Sequence, residues 1–213
     1  MKRIAIIGSK DLGQQIKHLI STDSEKYEVV GFYDDFAEKG SLAGGIPILG
    51  AVSDIEKDFG AGTFDELLIA IGYNHFAVRK SLYEKFSGKI PFAIFIHSSC
   101  IVDSSARIEE GAVLYPGCII DQKAVIKENA LINLGCVISH ESEIGKHSYL
   151  SPRVAIAGKV QIEECCFLGI NATAIDGITI VENTIIGAAA SVIKNINESG
   201  VYVGSPGRKI KDI

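Results

Sequence analysis

The pair best suited to moving a proton in this sequence is His140-Glu141. Imidazole changes protonation near neutral pH, and a neighbouring carboxylate fixes its tautomer and steadies its charged form. Read from the residues alone, His140 is a candidate general base, with a solvated turn histidine as the competing reading. His18 and His75 read as helix surface, and His147 belongs to a different turn from His140. A metal site needs several ligands converging on one point, so none is expected here. A second set of candidates lies near the start. Gly8-Ser9-Lys10-Asp11-Leu12-Gly13 follows an apolar run and precedes the helically spaced Leu12, Ile16, Leu19 and Ile20, while Asp34-Asp35 closes the next apolar run. Glycine turn, helix and a later acid are the parts of a dinucleotide-type phosphate loop. Lys10 stands where the middle glycine belongs, however, and no Gly-Lys-Ser/Thr follows, so a tight turn that merely packs remains open beside the phosphate reading.

What positions His140 is a repeat. From Val102 to Val192 an aliphatic residue returns every sixth position, through Leu114, Ile120, Ile132, Ile138, Ile156 and Leu168, with Ala174 the single small exception. Two residues earlier runs a second row of mostly small residues, Cys118, Ala124, Ala130, Cys136, Ser142 and Ser148 among them. Residues i and i−2 of a strand share a face, so large and small side chains enter one narrow interior. The period predicts a hexapeptide parallel β-helix with three sides and eighteen residues per coil. Eighteen-residue steps stack Gln122, His140, Gly158, Asp176 and Lys194 on one corner. Glycine next to His140 lets a ligand approach the backbone closely. Four of the five cysteines fall in the small inward row, which makes them packing residues and not a metal or disulfide framework.

The first 97 residues read differently. Short apolar runs alternate with helical spacing, predicting strands over residues 27–33, 64–71 and 90–96, and a helix carrying Val78, Leu82 and Phe86 capped by Asn74. This is a small, mostly parallel α/β sheet, long enough to hold one nucleotide. The expected domains are 1–97, α/β, and 98–213, β-helix, the latter ending in a strand with a basic tail over residues 201–209. With 47% apolar and 22% charged residues the composition is that of a soluble globular protein, and the net charge of −5 argues against nucleic acid or an anionic membrane as partner. Neither a membrane-length apolar run nor a signal-peptide core is present, and the cysteine count is odd. The expectation is a cytoplasmic protein without membrane insertion.

The sequence resembles the bacterial nucleotide-sugar N-acetyltransferase and sialic-acid O-acetyltransferase group of hexapeptide-repeat acyltransferases. The resemblance runs through Ile6-Ile7-Gly8 with Gly13, Asp34-Asp35, Ile71-Gly72-Tyr73-Asn74 with Arg79, residues 133–141, residues 167–171 and Val203-Gly204-Ser205-Pro206. It implies an α/β half-Rossmann domain followed by an all-β left-handed parallel β-helix. The implied roles are His140 as general base, Glu141 orienting it, and the Gly158 amide steadying the oxyanion. Acetyl-CoA would be the co-substrate, with no metal, lying between two subunits of a homotrimer past Gly158, Gly187, Gly204 and Pro206. Gly8, Lys10, Gly13, Asp34, Asp35, Asn74, Arg79 and Asn133 would bind the nucleotide-linked amino sugar. Many members of the group have a second glycine pair and a histidine in the first loop, where this chain has Lys10, Asp11 and Leu12. The implied reaction is acetylation of the amine of a nucleotide-linked 4-amino-4,6-dideoxyhexose. The alternatives are an O-acetyltransferase of sialic acid or a related sugar, a non-catalytic nucleotide-binding trimeric β-helix, and a zinc-dependent β-helix anhydrase.

Overall fold

A computed structural model describes residues 1–212. The chain divides into two compact units, Met1–Phe95 and the remainder from Ile96, two residues ahead of the expected break. In the first unit the elements are β1 (Lys2–Ile7), α1 (Asp11–Asp23), β2 (Tyr27–Tyr33), β3 (Leu42–Ala43), β4 (Ile46–Gly50), α2 (Ile55–Gly60), β5 (Glu66–Ile69) and α3 (Phe76–Phe86). The sheet order is β3-β4-β2-β1-β5; β1 pairs in parallel with β2 and β5, β2 with β4, and only the β3–β4 hairpin is antiparallel. Strand order reverses at β1, and ligands of open α/β sheets bind beyond the carboxyl ends of the strands at that point. Ile4, Ile6, Ile7, Phe32, Leu67 and Leu68 are buried, as continuous apolar runs in a covered parallel sheet require.

Three local expectations differ from the structure. Residues 90–96 do not form one strand: Pro91 removes a donor, leaving a single bridge from Phe92 to Leu67 and the pair Phe95–Ile96. Helix α3 buries Arg79, Tyr83 and Phe86 and leaves Val78 49% exposed, a face rotated from the one the apolar spacing suggests. Asn74 sits in a 3-10 turn, Tyr73–His75, and does not cap α3; His75 is the preceding residue and makes no side-chain cap.

The second unit is a parallel β-helix of two-residue strands. Ile119–Ile120 pairs with Ile101–Val102 and with Val137–Ile138, eighteen residues away on either side, and that step persists to Ser191–Val192. From Leu114 to Val192 every residue of the aliphatic row is buried, interleaved with the small row, in one continuous core. Each such aliphatic side chain contributes about 1.5–3 kcal/mol relative to exposure. Every sixth residue from Gly111 to Ala189 has positive φ and turns a corner. Ten of these are not glycine, Glu141 (φ 59°), Arg153 and Ala189 among them, at a cost of about 1–2 kcal/mol each. The offset is visible in the backbone. The amides of Asn129, Glu141, His147, Lys159 and Cys165 donate to carbonyls of the preceding coil at 2.8–2.9 Å. After Ile196 the chain forms a hairpin, Gly200–Val203 antiparallel to Arg208–Lys211, where the sequence suggested one strand and a tail.

Candidate active site

His140 lies on the corner between the strands Val137–Ile138 and Glu143–Ile144. Its own carbonyl accepts from the Lys159 amide, and the Glu141 amide donates to Gln122 O, both at 2.9 Å, so the backbone on which the imidazole stands is clamped from the coils on both sides. The ring is 40% exposed, and its Nδ1 faces Glu141 Oε1 at 3.4 Å, so Nε2 is the nitrogen turned away from the carboxylate. That separation gives an electrostatic contact more than a strong hydrogen bond. Beneath the ring is Gly158: a Cβ there would lie 2.5 Å from His140 Nε2 and 2.6 Å from Cε1. The absent side chain is the space the imidazole occupies.

The Gly158 amide donates at 3.0 Å to Oδ1 of Asp176, one coil further on. The Gly158 amide and the His140 imidazole therefore adjoin, as the eighteen-residue stack implied, but the amide faces a carboxylate, a partner that the stack alone does not disclose. His147, by contrast, is 2% exposed and its Nδ1 lies 3.0 Å from the Asn129 amide nitrogen, on another corner. Asn133 is also on another corner, 8% exposed, donating to the Tyr149 hydroxyl at 3.0 Å and accepting from the Leu134 amide at 2.7 Å. The structure does not bring it to His140 within one chain. Gly187, Gly204 and Pro206 do come together around the last coil: the Gly187 amide donates to Tyr202 O, Ser191 donates to Gly204 O, and Pro206 follows in the same turn. Among the described residues no three His, Cys, Asp or Glu side chains form a metal-ligating cluster.

In the α/β unit the sequence candidates gather at the carboxyl ends of β1, β2 and β5. Gly8 (φ 100°) needs its bare Cα, because a Cβ would meet Ala70 O at 2.9 Å, and Gly13 lets α1 approach so closely that a Cβ would sit 2.0 Å from Gly8 O. Asp34 is 8% exposed; Oδ2 accepts from the Ser9 hydroxyl at 2.6 Å and the Ser9 amide at 3.0 Å, and Oδ1 from the Phe36 amide at 3.0 Å. Burial pushes this carboxyl up, but those donors outweigh it and hold the group below the usual aspartate range. Asp35 accepts from the Val52 amide at 2.8 Å. The acid pair thus sets the shape of the loops. Arg79 is fully buried, its Nη1 donating to the carbonyls of Ile69 and Ile71 at 3.1 and 3.3 Å, so it holds the end of β5 and does not face solvent. Asn74, one turn on, is exposed. Sequence reasoning passed over Phe36, which is 91% exposed beside Asp34 with the Lys10 ammonium 5.7 Å from its ring centroid. An apolar residue just after an acid pair was the available signal.

Fold and corner together define a class: a hexapeptide-repeat left-handed β-helix preceded along the chain by an α/β domain. Within that class, residues 3–86 match the PglD N-terminal domain family. The chain is similar to PerB from Caulobacter crescentus, solved in complex with CoA and GDP-perosamine, with a TM-score of 0.89 at 27% identity over 99% of this chain and 98% of that one. A histidine-to-alanine mutant of GDP-perosamine N-acetyltransferase from the same organism, bound to the same two molecules, gives 0.90 at 28% over 100% and 98%. The acetyltransferase domain of PglB from Neisseria gonorrhoeae FA1090 shares the fold, with a TM-score of 0.88 at 22% identity over 99% and 100%. No curated protein matches the sequence significantly.

Proposed function

We propose that this protein transfers the acetyl group of acetyl-CoA to the amine of a nucleotide-linked 4-amino-4,6-dideoxyhexose. One observation carries the reading: the imidazole of His140, Nδ1 toward Glu141, stands over the bare Cα of Gly158 on an outer corner of the β-helix. The full-length likeness to a GDP-perosamine N-acetyltransferase supports it. In the proposed step the sugar amine attacks the thioester carbonyl, His140 Nε2 takes the proton that the nitrogen must lose, and the collapsing adduct expels CoA thiolate. Glu141 favours the imidazolium so formed. Transfer is direct. Cys118, Cys136 and Cys166 are fully buried in the core row, Cys100 packs against it and Cys165 is 6% exposed, so no thiol stands open to the substrates as an acyl carrier.

Gly8, Lys10, Gly13, Asp34, Asp35 and Asn74 form the nucleotide-binding end of the α/β unit in this reading, with Arg79 acting through the backbone it holds. Gly187, Gly204 and Pro206 line the path of acetyl-CoA. A homotrimer with sites between subunits, to which Asn133 contributes from a neighbouring copy, is supported by the outward row Ile101, Ile119 and Val137 on one face, 66%, 40% and 37% exposed. A cytoplasmic location follows from the use of acetyl-CoA. His140→Ala is expected to lower kcat by roughly 10²–10⁴ with thermal unfolding unchanged, measured by thiol release with GDP-, UDP- and dTDP-linked 4-amino sugars. An alanine variant with full activity would falsify the assignment.

A further inference from the structure

Three successive coils of one corner carry a base, a bare rung and a carboxylate. Adjacent rungs are about 4.8 Å apart, so His140 and Asp176 are separated by two steps, with only the Gly158 peptide between them. Both side chains lean onto that middle rung: the imidazole covers its Cα, and Asp176 Oδ1 takes its N–H at 3.0 Å. Gly158 is buried, whereas Asp176 is exposed.

We propose that Asp176 determines acceptor specificity: its carboxylate leaves the Gly158 amide for the ammonium of the incoming amino sugar, selecting an amine over a hydroxyl. This rests on the acetyltransferase reading and adds a consequence to it. An amine at neutral pH is partly an ammonium, and its nitrogen gains positive charge again as it attacks the thioester. A hydroxyl acceptor arrives neutral and offers the carboxylate much less. When Asp176 turns to the nitrogen, the Gly158 N–H is uncovered, and a buried backbone donor then points to where the carbonyl oxygen becomes negative. Acceptor binding and assembly of the oxyanion donor are thereby one event. The ammonium, which has no lone pair, first gives one proton to solvent at the exposed Asp176; the neutral nitrogen then forms its bond to the acetyl carbon, passes a second proton to His140, and the carbon–sulfur bond breaks to CoA thiolate.

The test is Asp176→Asn, which keeps an oxygen for the Gly158 amide and removes the charge. In wild-type enzyme and variant, kcat and KM are measured for the amino-sugar nucleotide, together with KM for acetyl-CoA and the inhibition constant of the matching 4-hydroxy sugar nucleotide. The variant should raise KM for the amine about five- to tenfold, as loss of one charge-assisted hydrogen bond implies. The inhibition constant of the hydroxyl compound and KM for acetyl-CoA should not move. A merely structural Asp176 leaves the amine-to-hydroxyl ratio at the wild-type value, and that result overturns the proposal. If the asparagine variant does not fold, Asp176→Ser is scored by the same ratio. A wild-type enzyme that acetylates none of the amino sugars overturns the underlying reading instead, and with it the role of Asp176.

Discussion

Gly158→Ala tests whether the bare rung serves the base. The backbone there lies outside the left-handed region, so alanine is not strained by conformation, but its Cβ would come within 2.5 Å of Nε2, 2.6 Å of Cε1 and 3.1 Å of Cδ2 of His140. Non-bonded carbon contacts settle near 3.5–4.0 Å, so the ring must move by about 1 Å. A base displaced that far costs about 10²-fold in rate, equivalent to about 2.7 kcal/mol of barrier. The ring is 40% exposed and can swing toward solvent, so the stability change stays within about 1 kcal/mol. Thiol-release kinetics beside thermal unfolding separate the two quantities. In a His140→Ala background the same substitution should add almost nothing, because the ring through which it acts is gone. Wild-type kcat in Gly158→Ala, or an equally large loss without His140, refutes the reasoning.

Other changes read different parts of the molecule. Gly13→Ala puts a Cβ 2.0 Å from the Gly8 carbonyl oxygen, a backbone atom that cannot step aside, so the α/β unit should lose about 2–4 kcal/mol; a urea midpoint equal to wild type contradicts that. Asp34→Asn probes the loop acid. Because the folded carboxyl is held below its ordinary value of 3.8, its stabilising effect is complete above that value and fades as pH falls through the folded pKa. The wild-type advantage over Asp34→Asn should be constant near neutrality and close below about pH 3.8, as followed by denaturant midpoints; a gap that widens in acid would be inconsistent. Ile138→Ala, fully buried beneath the His140 corner, should cost about 2–5 kcal/mol. That loss is expected in unfolding experiments with little change in the KM for the nucleotide sugar.

The β-helix was legible because its period is a one-dimensional signal. Val102 to Val192 repeat what the structure pairs, Ile120 with Ile138 and Ile138 with Ile156, so counting by eighteen located Gly158 beside His140 without coordinates. The α/β unit was legible in outline and less so in detail. Its glycines predicted the turn after β1, whereas the buried face of α3 did not follow its apolar spacing. Arg79 occupies that face and satisfies two strand-end carbonyls, an interaction no hydropathy pattern encodes. Likewise the second strand of the C-terminal hairpin is Arg-Lys-Ile-Lys, which local composition presents as a tail; pairing to Gly200–Val203 makes it a strand.

Sequence by itself determined the stack, because in a helix of fixed coil length the separation along the chain is the position on the corner. It placed His140, Gly158 and Asp176 on one line and the small cysteines in the core. The tertiary structure decided which atoms on that line meet. His140 lies over a Cα and Asp176 takes the Gly158 amide, while Asp34 turns to Ser9 and Asn133 to Tyr149. Those choices depend on side-chain rotamers and on the competition of each donor for the nearest acceptor, and both exist only when the coils are stacked.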